Sequence, residues 1–248
     1  LALAHADVYL FDIAVVAAQP IFQQQLFELA PRFLGDSELS RARRLKPAKQ
    51  QVFVITRILL RKLLSQYLPQ ITESDWKIEE RKDLPPLIHQ AEQARLHFSI
   101  SHSQASLALA ICHGKPVGVD IEYCRRRDFV ALVDSWFHAD LSSHIKRLEP
   151  AQQKAEFYRL WTVFEAYIKS EHKGIFDGIS KELKLSPDGK QPITATYFSA
   201  AWGDYCLAAA GQLDSLNAII VDDTPLEKGI TGKTLDRQDK GYIVLNAS

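Results

Sequence analysis

Apolar and polar positions alternate along this chain with two different periods, and the changes of period mark strands and long helices. The opening LALAHADVYLFDIAVVAAQP is apolar but interrupted by Asp7 and Asp12, which predicts a first strand rather than a signal peptide. Within RARRLKPAKQQVFVITRILLRKLLSQYL, Val52, Ile55, Leu59 and Leu63 recur at helical intervals, as do Phe53, Leu60 and Leu64. Arg57 and Arg61 fall on one line, so the segment predicts a long helix with a basic stripe. DWKIEE predicts a short strand and DLPPLIHQ a loop or extended segment. LHFSISHSQASLALAIC predicts two strands flanking a Ser-His-Ser turn, followed by the break HGKP.

The second half repeats this rhythm. PVGVDIEYC predicts an acidic strand, and DFVALVDSWFHADLSSHIKRL a helical region. AQQKAEFYRLWTVFEAYIKSEHKG predicts a long helix opened by Pro150 and closed by Gly174, with Phe157, Leu160, Trp161, Phe164 and Ile168 as its buried face. ATYFSAAWGDYCLAAAG reads as two strands around a turn, and LNAIIVDD as a last strand. From about Thr224 the chain turns polar and is expected to be a tail or peripheral extension. LHFSISHSQASLALAI and TYFSAAWGDYCLAAA share an aromatic-Ser strand, a polar turn and an Ala/Leu-rich return, each after a long helix. The expected organisation is a half over 1–115, a similar half over 116–223, and the extension 224–248, with a ligand cleft between the halves.

Composition narrows the function. The 248 residues carry 30 basic and 30 acidic side chains, so no global field points to nucleic acid or membrane. No apolar run approaches the ~20 residues that span a bilayer. The three cysteines, Cys112, Cys124 and Cys206, are spaced neither as metal ligands nor as a disulfide framework, which fits a reducing cytoplasm. Any electrostatic site must be local.

Three stretches hold polar residues that look out of place. Asp120 and Glu122 share one face of the acidic strand, where they repel each other unless a cation intervenes. Glu165 and Lys169 stand four apart on the second long helix, at the edge of its buried face. His102 lies between Ser101 and Ser103. Each has a plain structural explanation: an edge strand's solvent face, an ordinary helical ion pair, a turn. Together they suit one task. Mg2+ takes oxygen ligands, commonly one or two carboxylates plus substrate phosphate oxygens. Asp120, Glu122 and Glu165 could supply such a site, while Lys169, His102 and Arg41 or Arg57 could neutralise phosphate charge.

At these residues the sequence resembles the Sfp-type 4′-phosphopantetheinyl transferases. VGVDIE resembles the family's acidic strand, FYRLWTVFEAYIKSEHKGI its W-[ST]-x-K-E-[AS]-x-x-K helix, FSISHS its Ser-His turn and TRILLRKLL its basic helix. The resemblance covers roughly residues 7 to 223. It implies an α+β fold of two pseudo-symmetric halves, each a small, mainly antiparallel sheet packed by a long helix, with coenzyme A and Mg2+ at the interface. It implies transfer of 4′-phosphopantetheine from coenzyme A to a serine of an apo acyl or peptidyl carrier protein, releasing 3′,5′-ADP. The two internal halves and the cysteine spacing make a cytoplasmic monomer the expectation. Carried over by motif, Asp120, Glu122 and Glu165 bind the metal, and Glu165 also activates the carrier serine. Lys169 holds the pyrophosphate, Ser101 and His102 contact coenzyme A phosphates, and Arg57 and Arg41 meet the 3′-phosphate end. Two departures stand out: Phe164 replaces the lysine before the glutamate, and DLPPL replaces a Gly-Lys-Pro loop. Phe164 leaves open a non-catalytic coenzyme A or nucleotide binding protein. A metal-dependent phosphohydrolase is a third reading, disfavoured because no additional His/Asp metal cluster is present.

Overall fold

A computed structural model describes residues 4–19, 26–81, 85–172, 183–186, 193–221, 230–236 and 238–245. Two five-stranded sheets and two 21-residue helices dominate it. Strands β1 (His5–Asp12), β4 (Leu96–Ser103), β5 (Ser106–His113), β10 (Ser215–Val221) and β11 (Gly232–Thr234) form the first sheet, in the order β11-β10-β1-β5-β4. The second contains β6 (Val117–Tyr123), β7 (Leu183–Ser186), β8 (Ile193–Trp202), β9 (Tyr205–Gly211) and β12 (Asp239–Leu245), in the order β6-β9-β8-β12-β7. Only the β1–β10 pairing is parallel among those described in these two sheets. Two further strands, β2 (Ile78–Glu79) and β3 (Leu87–Ile88), form a separate hairpin where DWKIEE predicts a strand.

The helices are α1 (Ile13–Ala17), α2 (Leu26–Phe33), α3 (Asp36–Arg43), α4 (Pro47–Tyr67), α5 (His89–Gln93), α6 (Phe129–Trp136), α7 (Ala139–Arg147) and α8 (Pro150–Ser170). Proline opens both long helices at their first position, where its fixed φ helps and its missing N–H costs nothing. Gly174, the expected stop of the second, lies outside the described residues.

Strand alternation sorts the side chains into three cores. Tyr9 and Phe11 pack under α4 with Leu107, Leu109 and Ile111. Ala208 and Ala210 pack under α8 with Phe157, Leu160 and Phe164. Between the sheets lie Ala6, Val8, Ala108, Ala110, Val119, Ile121, Leu207 and Ala209. The alanine-rich strands are explained here: small side chains between the sheets on β5, and alanines on both faces of β9, let four layers stack closely.

Two expectations are corrected. The segment beyond Thr224 is no peripheral tail where it is described, because β12 lies between β8 and β7 and buries Ile243 completely. Its apolar run, Tyr242 to Leu245, is too short to stand out from polar flanks. Nor is LNAIIVDD the last strand, and it crosses to the first sheet to pair with β1. The boundary at 115/116 therefore separates the long helices but not the sheets.

The likeness of the halves is real but slipped by one residue from the Phe-Ser match. The β4–β5 hairpin closes on Ser103 and Ser106, and the β8–β9 hairpin on Trp202 and Tyr205. Counting back from these turns, Phe98 corresponds to Tyr197, and both face their helix-covered cores. Phe198 faces the opposite way, between the sheets. A one-residue slip exchanges faces, so the matching letters are coincidental.

Candidate active site

The acidic strand meets the second long helix because residue 118 has no side chain. A Cβ on Gly118 would lie 1.8 Å from the Ala166 carbonyl oxygen. With the helix this close, Asp120, Glu165 and Lys169 come together between strand and helix, with Asp120 only 4% and Glu165 only 6% exposed. Lys169 Nζ bonds Asp120 Oδ1 at 2.7 Å, Ser101 Oγ at 3.1 Å and the Val119 carbonyl oxygen at 3.2 Å. Glu122 is half-buried one step along the strand, and Ser103 Oγ donates to its Oε2 at 3.0 Å.

The electrostatics follow from crowding acids in a desolvated place. Burial, then repulsion from Asp120, raises the Glu165 carboxyl to about 7, with Lys169 opposing and Glu122 adding. Burial and Asp120 raise Glu122 as well. His102 is pushed down, first by desolvation and then by the Lys169 ammonium.

The donor set suits a hard cation in chemistry: three carboxylates, and Asp120 Oδ2 buried with no hydrogen-bond partner. Among the described residues, no three His, Cys, Asp or Glu side chains are gathered closely enough to hold a metal. Lys169 neutralises Asp120 instead.

The other expected residues divide. Ser101 is buried at the heart of the cluster. Ser101-His102-Ser103 ends a strand instead of forming a turn; the turn is Gln104–Ala105, with Gln104 at φ 53°. His102 is exposed beside Lys169's charge. Arg41 and Arg57 are bonded to Glu80, not to Asp120, Glu122 or Glu165. Arg57 is buried, and Arg61 beside it binds Glu38 through both terminal nitrogens, at 2.9 and 2.5 Å. The basic stripe therefore faces inward, where a buried guanidinium needs an acid partner. Arg41 stays half-exposed on an open cavity of about 490 Å³ lined with Ser37, Ser40, Arg44 and Arg81. Phe164 lies in the second core against Phe137, as its place on the helix predicts.

Three features escape the sequence reading. Ser99 and Ser103 bond the acidic strand, and their signal was the period-two serine run in FSISHS. The close approach at Gly118 was signalled only by the glycine itself. Cys124 and Cys206, far apart in sequence, lie 3.5 Å apart as free thiols. Among the described residues no helix is long and apolar enough to cross a membrane.

Two α+β halves joined over a buried acid–lysine cluster define the class of enzyme to which this chain should be compared. A family model described as the 4′-phosphopantetheinyl transferase superfamily matches residues 116–210, which hold the acidic strand and Glu165-Lys169. The chain is 31% identical over 170 residues to the 4′-phosphopantetheinyl transferase HetI of Nostoc sp., covering 66% of this chain and 70% of that protein. It is 37% identical over 95 residues to the 4′-phosphopantetheinyl transferase psf-1 of Bacillus pumilus, and 33% over 107 residues to a Bacillus subtilis 4′-phosphopantetheinyl transferase. Those matches cover 38% and 39% of this chain and 40% and 47% of the Bacillus proteins. The chain belongs to the 4′-phosphopantetheinyl transferase superfamily.

Proposed function

We propose that this chain moves 4′-phosphopantetheine from coenzyme A to a serine hydroxyl of an apo acyl or peptidyl carrier protein, releasing 3′,5′-ADP. One observation carries the assignment of roles: Glu165 is a buried carboxylate, 6% exposed, one helical turn from a lysine docked on Asp120. Asp120, Glu122 and Glu165, which stand too far apart here to hold a metal together, would hold Mg2+ by drawing in around it. When bound, the cation stabilises charge on the non-bridging diphosphate oxygens.

The protein's own groups do the rest. Glu165 takes the proton from the carrier serine, directly or through water, as its oxygen attacks the phosphorus bearing the pantetheine arm. The bond from that phosphorus to the bridging oxygen breaks. Lys169, 30% exposed, orients the diphosphate and can give a proton to the departing phosphate. His102 contacts a phosphate from its exposed position, and Arg41 meets the 3′-phosphate end. The protein acts as a cytoplasmic monomer.

The test is intact-mass measurement of a panel of apo carrier proteins after incubation with this protein, coenzyme A and Mg2+. A gain of one phosphopantetheine on at least one carrier is expected. Phosphopantetheine released without any carrier would instead identify a hydrolase, and tight coenzyme A binding without transfer would identify a binding protein.

A further inference from the structure

The edge of the second sheet is closed by serines. Strand β6 is terminal in its sheet, so its outward amides lack a strand partner. Ser99, Ser101 and Ser103 of β4 accept from the amides of Val119, Ile121 and Tyr123, at 3.0, 3.3 and 3.0 Å. Two of these hydroxyls also donate to the acid one residue earlier. Ser101 Oγ reaches Asp120 Oδ1 at 2.8 Å, and Ser103 Oγ reaches Glu122 Oε2 at 3.0 Å. The same unit, amide to hydroxyl to carboxylate, is built twice at a two-residue interval.

We propose that Ser101 and Ser103 are positioning residues, each fixing one oxygen of Asp120 or Glu122 and so aiming the carboxylate at the cation. The inference rests on the reading of Asp120, Glu122 and Glu165 as cation ligands. It gives Ser101 a different role from phosphate contact. A serine hydroxyl has one proton and two lone pairs. That of Ser101 accepts from Ile121 and Lys169 and donates to Asp120, so donating to a phosphate would require letting go of Asp120. Asp120 Oδ2 is left without a partner, buried and available.

The molecule contains its own control. Ser99 caps an amide as the others do, but the residue before Val119 is Gly118 and there is no carboxylate to hold. A purely structural role would make Ser99→Ala and Ser103→Ala alike.

The experiment titrates Mn2+ into the full chain with coenzyme A bound, reading free Mn2+ by electron paramagnetic resonance, with urea unfolding in parallel. Ser103→Ala should weaken Mn2+ binding about 10-fold, the size typical for groups that orient metal ligands. Ser103→Thr, which keeps the hydroxyl, should bind as wild type, and its isostere Ser103→Val should bind as Ser103→Ala. Ser99→Ala should lose stability yet bind Mn2+ normally. Equal affinity in wild type and the Ser103→Ala or Ser103→Val variants, or an equal loss in Ser99→Ala, overturns the positioning role alone. Wild-type protein that binds no Mn2+ overturns the cation reading, and the positioning role with it.

Discussion

Lys169 reaches across to the strand and bonds Asp120 at 2.7 Å, although Glu165 lies one turn away on its own helix. The choice follows from the acceptors the strand gathers there. Beside Asp120, the Ser101 hydroxyl and the Val119 carbonyl oxygen take the other two ammonium protons, and Asp120, 4% exposed, gains the counter-charge that a buried acid needs. The lysine thus has a structural duty as well as its proposed one. Lys169→Ala should lose transfer and, in chelator, cost on the order of 2 kcal/mol, reduced from the fully buried case because Lys169 is 30% exposed. Mg2+ should restore part of that stability. A variant as stable as wild type in chelator would mean that Asp120 needs no counter-charge.

The contact beneath Ala166 makes a second prediction. Gly118→Ala removes no polar group and adds one methyl, yet that methyl would lie 1.8 Å from a backbone carbonyl oxygen and 2.6 Å from the Ser170 amide nitrogen. Backbone cannot swing aside, so helix and strand must separate. The expected cost is about 3 kcal/mol by urea unfolding. Transfer should fall as well, because Glu165 and Lys169 ride on the displaced helix. A variant with the wild-type urea midpoint and rate would show that the helix is not held where it is described.

How far the sequence disclosed this arrangement depends on the range of the signal. Local periodicity gave both long helices and most strands, and Phe164's place on the helix gave its burial. The acids and lysine were legible because a carboxylate pair on an apolar strand violates the pattern around it. What failed was what depends on a distant partner. Arg57 and Arg61 read as a basic stripe because nothing local reveals that Glu38 and Glu80 come to meet them. Strand β12 was hidden because its partners, β7 and β8, lie far back along the chain. The first half also lacks the chemistry of the second. By strand register Tyr9 occupies the place of Asp120 and Asp7 that of Gly118, and Tyr67 donates to Asp7 there. Pseudo-symmetry therefore predicts architecture but not site.

The elevated Glu165 carboxyl makes stability depend on pH in chelator. Burial and the neighbouring acids hold it at about 7 against an ordinary 4.5, so the folded chain keeps a proton that the unfolded chain releases. Stability should fall as pH rises from 4.5 towards 7 and stay reduced above, by on the order of 3 kcal/mol. Glu122, raised for the same reasons, adds a slope of the same sign. Glu165→Gln abolishes the Glu165 contribution. At pH 8 the variant should melt a few degrees above wild type, with the difference shrinking towards pH 4.5, while transfer drops about 100-fold or more for want of a base. Melting curves that keep a constant separation across this range would show that Glu165 ionises like an exposed acid.

Arg57 and Arg41 share Glu80 but should fail in opposite ways. Arg57 is 5% exposed, bonds Glu80 Oε1 at 2.8 Å through Nε and 2.5 Å through Nη2, and has Glu38 3.5 Å away. Removing its charge strands buried acid, which costs about 3–5 kcal/mol. Arg41 carries a half-exposed guanidinium, and its ion pair with Glu80 contributes under about 1 kcal/mol. Arg57→Gln should therefore lower the urea midpoint sharply and change the KM for coenzyme A little at temperatures where the variant stays folded. Arg41→Gln should keep the midpoint and raise that KM several-fold, as expected for a surface cation that meets a phosphate. The reverse pattern, an intact midpoint and a raised KM for Arg57→Gln, would mean that Arg57 turns outward from Glu80 to the coenzyme and that the inward-facing arginine stripe is not the arrangement in solution.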